Sequence, residues 1–155
     1  MNSRIQFFSE GTSFIFRNKN AIRVWLVNAI EEEQKKPWYI NFIFCDDKYL
    51  LELNKVYLKH NTLTDILTFP FNEQPEAISG DIYISIERVE ENSKGYGESK
   101  DKEIKRVMIH GILHLCGYKD KTHKGKKEMR EKEDYYLNQL INSEERGIEL
   151  AEKKD

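Results

Sequence analysis

Apolar residues recur along this chain with two different periods, and the switches between them mark out its elements. Arg4 to Phe8 reads as a short strand, and the spacing of Ile22, Trp25, Leu26 and Ala29 predicts a helix capped by Asn18 or Asn20. That helix fades in Glu31-Glu32-Glu33-Gln34-Lys35-Lys36. After Pro37, the run Trp38 to Cys45 is rich in aromatic and β-branched residues and is the clearest strand of the first half. Asp46 and Asp47 punctuate it. Tyr49, Leu50, Leu53, Val56 and Tyr57 then give a second amphipathic helix, which the breakers between Leu58 and Leu63 turn into a loop.

In the second half, Ile66 to Phe69 is a strand closed by Pro70, and Asp81 to Ile86 alternates with the period of a strand. The segment between them, Asn72 to Gly80, reads as a hairpin connection. Gly95-Tyr96-Gly97 ends a short helix and Ser99 caps the next, in which Val107 to Leu115 is apolar almost all round and is expected to be buried on most sides. A final helix, starting near Thr122 or His123, carries Met129, Tyr136, Leu137, Leu140 and Ile141. Helices and strands interleave and the hairpin requires an antiparallel pair, so the pattern predicts an α+β fold: a mixed sheet with helices packed on it. We expect a single domain over residues 1–142 and a charged, fraying tail over 143–155.

Composition narrows the functional classes. A chain of 155 residues is the size of one domain, and its net charge of -2 creates no global basic field, so nucleic-acid binding would need a local patch. Met1 to Phe16 lacks the continuous apolar core of a signal peptide, and nowhere do eighteen apolar residues run together, which predicts no membrane span. Cys45 and Cys116 are too few and too far apart for a disulfide framework. The chain reads as cytoplasmic with both thiols reduced.

Chemistry concentrates in Val107-Met108-Ile109-His110-Gly111-Ile112-Leu113-His114-Leu115-Cys116-Gly117, where the two strongly polar side chains stand four residues apart. On a helix that spacing puts both imidazoles on one face, as a single metal ion requires of two nitrogen ligands. The plainer reading is a pair of separately hydrogen-bonded core histidines. An unsatisfied buried polar group costs roughly 2–7 kcal/mol, and one cation satisfies both rings at once, which favours the metal. Gly117 can turn the chain back so that Asp120, three residues on, supplies a third ligand, in the manner of the extended zinc-protease signature. His123 is the alternative third ligand, and a helix cap is the alternative role for Asp120. Where that protease signature carries its glutamate base, this chain has Gly111, so ordinary peptidase chemistry lacks its base.

The block His110-Gly111-Ile112-Leu113-His114-Leu115-Cys116-Gly117-Tyr118 resembles the signature of the YbeY family of bacterial endoribonucleases. Leu53-Asn54, Tyr57, Thr64-Asp65-Ile66-Leu67-Thr68-Phe69-Pro70 and Gly80-Asp81-Ile82 resemble the family's other segments in order and spacing, so that the likeness spans about Asp46 to Leu140. The resemblance implies a four-stranded sheet with surrounding helices, a zincin-like buried metal helix, and one Zn2+ on three ligands. It also implies cleavage of single-stranded RNA, in ribosomal RNA maturation and quality control on ribosomal particles. Two positions depart from the family: Asp120 stands where it usually places a third His, and Leu58 where it places an Arg. That Arg would suit a phosphate's developing charge, and Lys59 and His60 adjoin the vacancy.

With a metal to activate water or polarise a phosphate, no Glu is needed at position 111. Asp65 is a candidate to orient the site or accept a proton, its other reading being a turn cap. Lys119, Lys121 and Lys124 open a basic run that continues through Lys126, Lys127, Arg130 and Lys132, a track for an RNA backbone or, with Glu128, Glu131 and Glu133, a solvated helix face. Two other classes share these residues: a metallopeptidase-like hydrolase, and a non-catalytic, zinc-stabilised ribosome-binding factor.

Overall fold

The computed structural model describes residues 4–71 and 76–153, with side chains through Glu145. Two units are distinguished along the chain, Met1–Tyr118 and Lys119–Asp155. The first contains β1 (Arg4–Ser9), α1 (Lys19–Glu32), β2 (Lys36–Cys45), α2 (Asp47–Leu58), β3 (Ile66–Pro70), β4 (Ala77–Ser85), α3 (Ile86–Tyr96) and α4 (Lys100–Leu115). The second contains one long helix, α5 (His123–Lys153).

The four strands form one sheet in the order β1-β2-β4-β3. β1 and β4 both lie parallel to β2, and β3 runs antiparallel to β4 at the edge, so the sheet is mixed as expected. Successive side chains alternate between faces. Phe42, Phe44, Ile82 and Ile84 are wholly buried on the face that meets α1 and α4, whereas Cys45, Leu67 and Tyr83 point to the other face and pack with Leu50 and Leu53 of α2. Ser99 caps α4 as the sequence reading has it, accepting from the Lys102 N–H at 3.1 Å, and Asp46, read there only as a break, caps α2 by accepting from the Tyr49 N–H at 2.8 Å. Asn18 begins α1 differently, through a left-handed backbone and no side-chain cap bond.

Some boundaries differ from expectation: β2 already begins at Lys36, and Ile86, read above as the end of a strand, opens α3. Ala77 to Gly80, read above as part of a hairpin connection, are already strand, paired to β2 and β3. Gly80 shows why a glycine belongs there: a Cβ at this position would lie 2.6 Å from the Phe69 carbonyl oxygen of the neighbouring strand. Residues 72–75, the rest of that connection, lie outside the described residues. Of the charged tail expected from residue 143, the backbone continues the α5 helix to Lys153, with side chains described through Glu145. Among the described residues, no helix is long and apolar enough to cross a membrane.

Candidate metal centre

α4 is buried along most of its length, from Glu103 and Ile104 to Ile112 and Leu113. His110 and His114 occupy its last turns, half-buried and one turn apart. Their rings meet edge to face, with the two Nε2 atoms 3.0 Å apart. Gly117, at φ +110°, then reverses the chain. Its N–H donates to the His114 carbonyl and the Tyr118 N–H to the Leu113 carbonyl, the paired bonds that close a helix through a glycine turn. The turn brings the Tyr118 carbonyl back to the helix end, 3.0 Å from His114 Nδ1.

That contact fixes a proton. A carbonyl oxygen can only accept, so His114 Nδ1 carries the hydrogen and the neutral ring presents a bare Nε2 lone pair to His110. Two bare lone pairs at 3.0 Å would repel, so the spacing calls for a proton on His110 Nε2 or a cation between the rings. Nitrogens on a tetrahedral zinc, each about 2.05 Å from it, stand about 3.3 Å apart, close to the separation found. The carbonyl behind His114 is the outer-shell partner that metal-bound imidazoles require. The negative end of the α4 dipole favours a cation in the same place.

The candidate third member is Asp120. His110, His114 and Asp120 each offer one ligand atom, and all three atoms lie within 4.8 Å of one another. Capping, its alternative role, belongs to Thr122, whose hydroxyl accepts from the Gly125 N–H at 2.9 Å. His123, the other candidate ligand, is the exposed first residue of α5 and is not in this group. Cys116 stands close in sequence, but burial, with Glu33 nearby, pushes its thiol up to about 12, so it carries no thiolate to offer at neutral pH. Two nitrogens and a carboxylate oxygen make a donor set that fits zinc or another borderline divalent cation.

Packing explains the absent glutamate. A Cβ on Gly111 would come within 2.9 Å of Ile82 Cγ2 and 3.0 Å of Ile66 Cδ1, so α4 lies so close to the sheet that any side chain here would have to displace these isoleucines. A glycine also governs the loop carrying Asp120: a Cβ on Gly125 would lie 2.5 Å from the Lys119 carbonyl oxygen. Gly125→Ala is therefore expected to push that carbonyl away, shift the loop that carries Asp120 and weaken metal binding. Helix content should hold or rise, since alanine is the better helix former. Chelator competition and circular dichroism measure the two effects separately.

The remaining candidates are placed as follows. Asp65 precedes β3, half-buried, and its carboxylate accepts from Asn92 Nδ2 at 3.4 Å. Leu58 ends α2, Lys59 follows it in a left-handed turn, and the His60 N–H donates to the Asn54 carbonyl; all three side chains are exposed. Lys119, Lys121 and Lys124 are exposed too. Sequence reasoning missed Glu33, at the end of α1, whose carboxylate accepts from the Tyr118 hydroxyl at 2.5 Å across 85 residues of chain. No local pattern marks such a contact.

Comparison with known proteins supplies the family. The sequence model of the family described as Endoribonuclease YbeY matches residues 7–141, a wider span than the motifs alone suggested. Proteins named Endoribonuclease YbeY include one from Flavobacterium johnsoniae, 50% identical over 82% of this chain and 91% of its own length. Another, from Porphyromonas gingivalis, is 36% identical over 96% of this chain and 97% of its own. A Thermotoga maritima protein determined in solution shares the fold with a TM-score of 0.65 and 29% identity, covering 93% of each chain. A family match over residues 7–141, joined to a relative of that name 50% identical over most of both chains, places this protein in the YbeY endoribonuclease family.

Proposed function

We propose that this chain is a metal-dependent endoribonuclease that cleaves single-stranded RNA, working on ribosomal particles in the cytoplasm during ribosomal RNA maturation and quality control. The observation that carries this reading is the His110, His114 and Asp120 group, set in a chain whose relatives bear the name endoribonuclease. A divalent cation held there, zinc by donor preference, supplies Lewis-acid polarisation and a nucleophile near neutral pH.

The chain's own residues do the rest. The Tyr118 carbonyl holds the His114 ring in the tautomer that presents Nε2. Three protein ligands leave a coordination position for substrate or water, as a catalytic site needs. Position 111 is closed to a base, which leaves Asp65 as our candidate to orient the site or accept a proton. We assign His60 and Lys59 to the phosphate charge that the family's Arg would meet at Leu58. Lys59, Lys119, Lys121 and Lys124 are exposed cations suited to an RNA backbone. Residues 1–142 make up the working domain in this reading, and 143–155 are an accessory tail.

The test is cleavage of single-stranded RNA by the purified protein, with metal content measured on the same sample. Chelation is expected to lower the rate about a thousandfold, since the cation contributes several kcal/mol to the transition state, and adding zinc should restore it. Casein should stay intact. RNA cleavage unaffected by chelation would remove the metal from the mechanism, and cleavage of casein in place of RNA would favour the peptidase.

A further inference from the structure

The Tyr118 carbonyl that fixes His114 belongs to a residue whose side chain is also tethered. Its hydroxyl donates to Glu33 Oε1 at 2.5 Å, in the range of a strong, charge-assisted bond. Glu33 is itself held at the end of α1, where its N–H donates to the Ala29 carbonyl and Gln34 follows with a positive φ. One continuous path therefore runs from the end of α1 to a metal ligand: Glu33 carboxylate, Tyr118 hydroxyl, Tyr118 backbone carbonyl, His114 Nδ1.

We propose that Glu33 is a positioning residue for the metal centre, acting through Tyr118 to hold His114 in the Nδ1–H tautomer. Loss of this tether lets the Tyr118 peptide unit rotate, and a small rotation frees the imidazole. The ring then divides between two tautomers and several orientations, and only one combination presents Nε2 to a cation. Outer-shell partners of metal-bound histidines typically contribute 10–100-fold in affinity. The proposal rests on the metal-centre reading but not on the identity of the substrate.

Zinc binding by the full chain, read by competition with a chromophoric chelator, tests it without RNA. Tyr118→Phe and Glu33→Ala are each expected to weaken binding about tenfold, and the double variant also about tenfold, because both break the same path. Glu33→Gln, which keeps an oxygen to accept from the hydroxyl, should recover most of the loss. Nitrogen-15 spectra of the metal-free protein should show His114 as the Nδ1–H tautomer in the wild type and as a mixture in Tyr118→Phe. A purely structural tether would lower the melting temperature of these variants while leaving zinc affinity and tautomer unchanged, and that result overturns the proposal. Losses that multiply to a hundredfold in the double variant overturn it too. A wild type that takes up no zinc sinks the metal-centre reading along with it.

Discussion

His114→Ala is expected to cut RNA cleavage by at least about a thousandfold while the metal-free protein melts within a few degrees of the wild type. His114 is half-buried at the end of α4, and its ring engages the Tyr118 carbonyl and His110. The apolar bulk of α4, from Ile104 through Leu113, packs without it. Truncation therefore removes a candidate ligand and its hydrogen bonds, each worth about 1 kcal/mol net, and leaves the core intact. A non-catalytic factor stabilised by zinc behaves in the opposite way. There the metal's binding energy is folding energy, so losing a ligand would unfold the chain. Thermal melting and cleavage kinetics on the same variant separate the two, and a chain that unfolds on this change alone would support the structural role of the metal.

Much of this architecture was legible because side-chain period and cap chemistry act locally. Ser99, Gly97 and Gly117 ended or began helices where the pattern placed them, and the histidine spacing predicted rings on one face. What escaped was decided by contacts between distant segments. Ala77-Ile78-Ser79-Gly80 has the composition of a turn, yet it forms strand because β2 and β3 both pair with it and only a glycine admits the Phe69 carbonyl so closely. The Glu33–Tyr118 bond joins segments too far apart for any periodicity to reveal it. Asp120 was legible as a candidate ligand from its spacing to Gly117, but the cap reading could be set aside only once the Thr122 hydroxyl was seen in the cap.

Installing the missing protease base by Gly111→Glu is expected to destabilise the protein by more than about 3 kcal/mol and to confer no activity on casein. The first atom of any side chain already meets Ile82 Cγ2 at 2.9 Å and Ile66 Cδ1 at 3.0 Å, and Ile82 is wholly buried in an inner strand of the sheet. A glutamate adds an unpaired carboxyl group to that apolar contact, so overpacking and desolvation act together. Gly111→Ala isolates the steric part: overpacking of about 1–3 kcal/mol is partly offset by the gain of about 1 kcal/mol in helix propensity, leaving a smaller loss. Denaturant midpoints of the two variants measure both quantities. The zinc-protease base would have to occupy the space that holds α4 against β3 and β4, so this chain cannot bring its helix so close to the sheet and also keep that base. A Gly111→Glu protein as stable as the wild type and active on casein would show that the space is there, and would return the peptidase reading to contention.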